Sequence, residues 1–144
     1  MTQSPATRPS IGRTILAVLA GLVFIFVTHN GLDAILHVSG VYPPMGKPMS
    51  NALWGLATGY RIVFSVIGCY LTAYLAPVRP RQHALILGWV GVLLSLVGLL
   101  ATWSQGPEFG PKWYPIALVF VSLPCAWLGG RLRELQIGNR RCRN

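Results

Sequence analysis

Charged side chains are scarce in this chain, and acidic ones are nearly absent. Only 10% of its 144 residues are charged, whereas soluble domains carry about a quarter. The acidic residues are Asp33, Glu108 and Glu134. A mechanism that uses a pair of carboxylates would need Asp33 and Glu108 to meet, and nothing in the sequence brings them together. This composition argues against a soluble enzyme with acid–base chemistry.

Motifs for catalysis and for cofactors are missing as well. The chain contains no G-x-S-x-G, no H-E-x-x-H, no Walker loop and no dinucleotide fingerprint. Cys69, Cys125 and Cys142 lie far apart and form no C-x-x-C pair, so they predict neither a disulfide framework nor a zinc site. We therefore expect no catalytic residue, no metal and no cofactor, and we interpret the chain as a protein that is not an enzyme.

Basic residues dominate the few charges that are present. Twelve Lys and Arg residues give a formal net charge of +9, which in a soluble protein would indicate nucleic-acid binding. Here the basic residues fall between and beyond long apolar runs, and that distribution is typical of membrane topology. We expect a lipid bilayer as the partner and no nucleic acid.

Four apolar runs approach the roughly 20 residues that cross a hydrocarbon core. Linkers rich in proline and glycine separate them: "GVYPPMGKP", "APVRPRQ" and "SQGPEFGPK". The pattern predicts an all-α integral membrane protein, a single domain over residues 1–144 with four transmembrane helices in an antiparallel bundle. The predicted helices cover residues 11–38, 52–75, 83–103 and 113–134, followed by a short basic tail over residues 135–144. A cleaved signal peptide is the alternative for the first run, but "THNGLD" follows it without a small-x-small cleavage site, which favours a retained span.

The distribution of basic residues predicts the orientation of these spans. The first and third linkers hold only Lys47 and Lys112. The N-terminal arm, the second linker and the tail hold Arg8, Arg13, Arg79, Arg81, Arg131, Arg133, Arg140, Arg141 and Arg143. By the positive-inside rule both termini face the cytoplasm. The basic tail is expected to fix this orientation and to attract anionic lipid head groups.

Small residues mark a face on the second and third spans. They recur at steps of three and four, a rhythm that forms one seam of a left-handed helix pair. Small side chains let membrane helices approach closely, and the short linker favours a hairpin of these two spans. The predicted packing positions are Ser65, Gly68, Gly88, Gly91, Ser95 and Gly98.

The stretch "HNGLDAILH" carries titratable residues at every fourth position, so His29, Asp33 and His37 share one helical face. Arg61 lies roughly 12 Å below the outer end of the second span, counted from its start. An arginine at such a depth costs about 2.5 kcal/mol or more unless it pairs or snorkels. We predict an interhelical ion pair between Asp33 and Arg61, with His29, and with Tyr60 as a further candidate, completing the polar network.

A metal or proton-relay site built from His29, Asp33 and His37 is the weaker alternative. Imidazole and carboxylate suit several divalent metals, but ligands normally come from several elements, and Arg61 would repel a cation nearby. For His37 we favour a solvated position where the first helix emerges, at the negative end of the helix dipole.

Several runs resemble a group of small bacterial four-helix inner-membrane proteins that carry no assigned activity: "LDAILHVSGVYPP", "YRIVFSVIGCYLTAYLAP", "RPRQHALILG", "GPKWYPIAL" and "LPCAWLGGRL". The resemblance covers about residues 31–132. It implies a multi-pass protein of the bacterial inner (plasma) membrane with four helices, and it transfers no site.

Two functions fit these observations. The first is a non-enzymatic structural or accessory subunit of a membrane assembly, either a homo-oligomer or part of a larger complex. The alternative is a small oligomeric transporter or channel that moves protons, ions or a small solute, because intramembrane charge often marks such a path. Strongly polar residues cluster at the outer third of the spans instead of crossing the whole membrane, which favours the accessory role.

Overall fold

The computed structural model describes residues 11–142, and its regular structure there is entirely helical. One 3-10 turn covers Pro107–Phe109, and the four α-helices are α1 (Ile11–Val38), α2 (Asn51–Leu75), α3 (Pro80–Thr102) and α4 (Trp113–Arg141). Each of the four is long and apolar enough to cross a membrane. Even α3, with 23 residues, extends about 34 Å against a hydrocarbon core of roughly 30 Å. The predicted all-helical class and helix count are confirmed.

Local chemistry sets where the inner helices begin. Ser50 precedes α2, and its hydroxyl accepts a hydrogen bond from the Leu53 amide at 3.4 Å, the usual arrangement of a helix N-cap. α3 begins at Pro80 instead of the predicted residue 83, because proline tolerates the first helical turn, where its missing N–H is not needed. Arg79 makes the sharp turn before it with a left-handed φ of 47°.

The predicted separate tail over residues 135–144 is a helix for most of its length, since α4 continues to Arg141. Residues 133–136 read Arg-Glu-Leu-Gln, all strong helix formers. Gln136 also accepts hydrogen bonds at its side-chain oxygen from Tyr70 at 2.8 Å and from Arg133 at 2.7 Å. The contact with Tyr70 anchors the last turns of α4 to α2, and the contact with Arg133 lies within α4. Arg8 and Arg143, which contribute to the predicted orientation, lie outside the described residues.

The small-residue faces contact different neighbours from those predicted. α1 packs mainly on α2, and α3 mainly on α4, while the contact between α2 and α3 is less extensive. A Cβ on Gly68 would lie 3.2 Å from the Gly21 carbonyl oxygen of α1. A Cβ on Gly91 would lie 3.5 Å from Oγ of Ser122 in α4. The predicted seam between α2 and α3 was therefore wrong, because periodicity marks a face for close approach but does not identify the helix that fills it.

The remaining predicted packing positions divide between contact and open space. Gly88 faces α4, where an added Cβ would lie 3.4 Å from Leu123 Cδ2. Within residues 11–142, Gly98 has nothing within 4 Å of an added Cβ, so it is not a packing position there. Ser65 and Ser95 line a cavity, as Gly88 and Gly91 also do.

Small side chains pack closely in one part of the bundle, called the packed half here. Its buried core consists of Cys69, Ala73, Ala84, Leu87 and Ala126. A hydrogen bond at one end of this region joins α1 to α3, from the Thr14 hydroxyl to His83 Nε2 at 3.0 Å. His83 Nδ1 donates to the Arg79 carbonyl at 3.2 Å, so both ring nitrogens are hydrogen-bonded.

Candidate functional site

The sequence-predicted residues Asp33 and Arg61 are in contact, near the end of α1 and in the third turn of α2. Arg61 Nη2 donates to Asp33 Oδ2, and the Tyr60 hydroxyl donates to Asp33 Oδ1. Both carboxylate oxygens are thus engaged by α2. The Arg61 and Asp33 side chains are only 24% and 27% exposed, so the pair is largely shielded and links the two helices inside the bundle.

The Arg61 guanidinium also contacts the start of α4. Its central carbon lies 5.8 Å from the centre of the Tyr114 ring, within the range of a cation–π attraction. Tyr114 is buried and packs on Trp54, with ring centres 4.5 Å apart. Arg61 therefore joins three helices: its own, α1 through Asp33, and α4 through Tyr114.

His29 and His37 contact backbone oxygens and do not converge on Asp33. His29 Nε2 donates to the Arg61 carbonyl at 3.2 Å, and His37 Nδ1 donates to the Asp33 carbonyl at 2.9 Å. The His37 ring meets Tyr42 edge-on, with centres 5.3 Å apart. His37 is half-buried under the first linker, whereas the sequence favoured a solvated position. The linker folds back over the end of α1, which hydropathy cannot reveal.

The three residues predicted as a weaker metal or proton-relay set thus make separate contacts. Both oxygens of Asp33 are taken by Tyr60 and Arg61, and each imidazole donates to a carbonyl. Within residues 11–142 no group of three or more His, Cys, Asp or Glu side chains is placed to hold a metal ion. The spacing of four residues put these side chains on one face without bringing them to one point.

Aromatic residues of the first linker and of the first turns of α2 and α4 complete the site, and the sequence did not identify them as part of it. Tyr42 is 3% exposed, and its amide donates to the Leu36 carbonyl at 2.9 Å, so the first linker closes over the bundle. In the third linker Gly110 has a φ of +96°, and a Cβ there would lie 2.7 Å from the Trp54 ring. The aromatic residues stand in the sequence as "VYPP" and "GPKWYP". Their burial could not be predicted, because stretches at the ends of helices have no periodicity.

A cavity of about 260 Å³ lies next to the ion pair and is lined by residues of all four helices. Its polar lining residues are His29, Asn30, Arg61, Ser65, Ser95 and Ser122. Toward the packed half it ends at Cys69 and Leu87, which are 3% and 2% exposed. The ion pair, the aromatic residues around it and this cavity are called the polar half below.

The polar half combines a neutralised charge pair with uncharged hydroxyl groups. Glu108 lies in the 3-10 turn outside it, and Glu134 pairs with Arg131 on α4 at 3.5 Å. The arrangement suits fixing helices and hydrogen-bonding an uncharged group. No family model, no curated protein and no solved structure matches this chain.

Proposed function

We propose that this chain is a multi-pass protein of a bacterial inner membrane, with antiparallel helices and both termini in the cytoplasm. Contacts between opposite ends of successive helices support the arrangement. Asp33, late in α1, pairs with Arg61, early in α2. Lys112, just before α4, lies 4.7 Å from the ring of Trp103, just after α3. The resemblance to small bacterial four-helix proteins and the basic residues around the second linker support the location and the orientation.

In this membrane the chain acts as a non-enzymatic structural or accessory subunit of a larger assembly. The observation that carries this role is the use made of the intramembrane charges. Asp33 and Arg61 neutralise each other and connect α1, α2 and α4. They therefore stabilise the contacts between helices and do not form an exposed path for ions. The outward face of α1 is apolar, with Leu16, Val23 and Val27 all more than half exposed, and it is available to lipid or to a partner helix.

A small transporter or channel is the second candidate, and the cavity with its polar lining favours it. A continuous path would have to pass Leu87 and Ala84, which are 2% and 0% exposed in the packed half. That barrier is the reason to place the accessory role first.

The two roles are separated by measuring assembly and flux on the same preparation. For an accessory subunit, native mass spectrometry after gentle extraction gives one defined complex with a fixed number of copies of this chain. Purified protein in vesicles then gives no more flux of protons, ions or small solutes than empty vesicles. Flux that exceeds both empty vesicles and an Arg61→Gln control would contradict the accessory role and favour transport.

A further inference from the structure

We propose that the cavity of the polar half binds an uncharged amphiphile, with a small hydroxyl or carbonyl head inside the bundle. Its aliphatic chain leaves between α1 and α3 toward the bilayer. This inference rests on the proposed membrane location but not on the accessory role. Four observations carry it: the size of the cavity, its hydrogen-bonding groups, its charge balance and its opening.

The size suits a small head with the first part of a chain. At about 260 Å³ the cavity lies just below the roughly 300–1,000 Å³ of typical small-molecule sites. Most of its wall is aliphatic or aromatic, formed by Leu22, Ile25, Phe26, Leu94, Leu118 and Val121. Such walls accommodate methylene groups, and a longer chain must continue outside the bundle.

The hydrogen-bonding groups of the wall suit a hydroxyl or a carbonyl. Ser65 on α2 and Ser95 on α3 both line the cavity, and their hydroxyls form no hydrogen bond with any residue of the described range. His29 uses Nε2 toward the Arg61 carbonyl, so Nδ1 of the neutral ring is an acceptor. Polar groups in an apolar interior are normally satisfied. A hydroxyl head can donate to His29 and accept from a serine, and a carbonyl head can accept from both serines.

The charge balance of the wall selects an uncharged head. Arg61 is the charged residue that lines the cavity, and Asp33 already neutralises it. An anionic head would compete with Asp33 for the guanidinium and leave one carboxylate unpaired. A cationic head would lie next to Arg61 without a counter-ion. Burying an unpaired charge is strongly unfavourable in either case.

The opening of the cavity lies between α1 and α3. α1 packs mainly on α2 and has only sparse contact with α3, and the two are joined in the packed half through Thr14 and His83. Farther along the same helices, Phe26 and Leu94 line the cavity and are 67% and 56% exposed. An aliphatic chain that leaves the cavity between these two residues would enter the hydrocarbon core of the proposed membrane.

The test is photolabelling of the purified chain in lipid nanodiscs with dodecanol, dodecanoate and dodecylammonium, each with a diazirine in the chain. These probes share one tail and differ in head charge. Dodecanol is expected to label the peptides that contain Phe26, Leu94 and Leu118, about tenfold more than either charged probe does. Equal labelling of these wall peptides by the three probes would overturn the selection of an uncharged head.

Filled-cavity variants separate the site from nonspecific labelling at the lipid-facing surface. Ser95→Leu places a larger side chain in the cavity. Gly98→Leu adds the same side chain to α3 at a position where no described residue lies within 4 Å of the added Cβ. Wall labelling is expected to be lost in Ser95→Leu and retained in Gly98→Leu. Ser65→Leu fills the cavity from α2 and replaces Ser95→Leu if that variant does not fold.

Wall labelling that persists in a folded Ser95→Leu or Ser65→Leu variant would overturn the site. Labelling confined to outward residues such as Leu16 and Val23 would do the same. Either result leaves the accessory role intact, since that role is tested by complex size and flux. Failure of the chain to enter nanodiscs would instead contradict the membrane location, and with it the route proposed for the aliphatic chain.

Discussion

Around Leu87 the four helices meet through small side chains, whereas around Arg61 they are joined by an ion pair, aromatic rings and a cavity. In the proposed membrane location, helices would gain no hydrophobic free energy from contacting one another, so close packing or polar contacts would have to hold them together. This chain uses the first means in the packed half and the second in the polar half. The same four helices thus pack through small side chains along one part of their length and enclose a cavity along another.

This difference divides the possible roles of the two halves. Close contacts at Gly21, Gly68 and Gly129 leave no room for a solute in the packed half. The polar half has room, hydrogen-bonding groups and a sparse α1–α3 boundary. Recognition of a ligand is therefore expected in the polar half, and rigidity is expected from the packed half.

The largest effect is expected from Gly129→Ala in the packed half. A Cβ at Gly129 would lie 2.7 Å from both the Tyr70 amide nitrogen and the Val66 carbonyl oxygen, and backbone atoms cannot move aside as a side chain can. We expect a loss of about 3 kcal/mol in the free energy of unfolding, at the upper end for overpacking. The measurement is thermal and denaturant unfolding in mild detergent.

Gly138→Ala is the matched control on the same helix, because no atom of the described residues lies within 4 Å of its added Cβ. It should be neutral or stabilise α4 by up to about 1 kcal/mol through helix propensity. If the two variants unfold alike, the packed half does not depend on close approach at Gly129.

The second effect concerns the ion pair of the polar half and is measured by a double-mutant cycle. Asp33→Asn and Arg61→Gln each leave one charge without its partner, and each should lower the free energy of unfolding by about 2 kcal/mol. This is less than for a fully buried pair, because both side chains are about a quarter exposed. The loss in the double variant should be smaller than the sum of the two single losses by about 1 kcal/mol or more. Additive losses would mean that the two charges do not stabilise each other.

The third effect tests the aromatic part of the polar half. Tyr60→Phe removes the hydroxyl that donates to Asp33 Oδ1, and a hydrogen bond to a charged group contributes about 1.5 kcal/mol. Tyr74→Phe is the control, because Tyr74 is 51% exposed and keeps its ring contact with Arg133. Unfolding midpoints should fall for Tyr60→Phe and stay unchanged for Tyr74→Phe. Equal midpoints would remove Tyr60 from the network.

Much of the fold follows from the sequence, because span length and linker composition are local properties. The spacing also put Asp33 and Arg61 at similar depths, and the structure has them in contact. Three features could not be derived from the sequence. The partners of Gly68 and Gly91 depend on which helices become neighbours, the burial of Tyr42 depends on a linker without periodicity, and the cavity depends on the separation between helices.

The smallest effect tests whether polar groups matter in the packed half at all. Thr72 is 0% exposed, and its hydroxyl has no hydrogen-bond partner among the described residues. Thr72→Val keeps the shape and removes this unsatisfied group, so it should be neutral or stabilise the protein by up to about 1 kcal/mol. Thr14→Val is the opposite case, because it removes the hydroxyl bonded to His83 at 3.0 Å and should cost about 1 kcal/mol. A clear loss in the free energy of unfolding for Thr72→Val would show that the Thr72 hydroxyl makes a stabilising polar contact. The packed half would then depend on polar contacts as well, and the two halves would differ less than the geometry indicates.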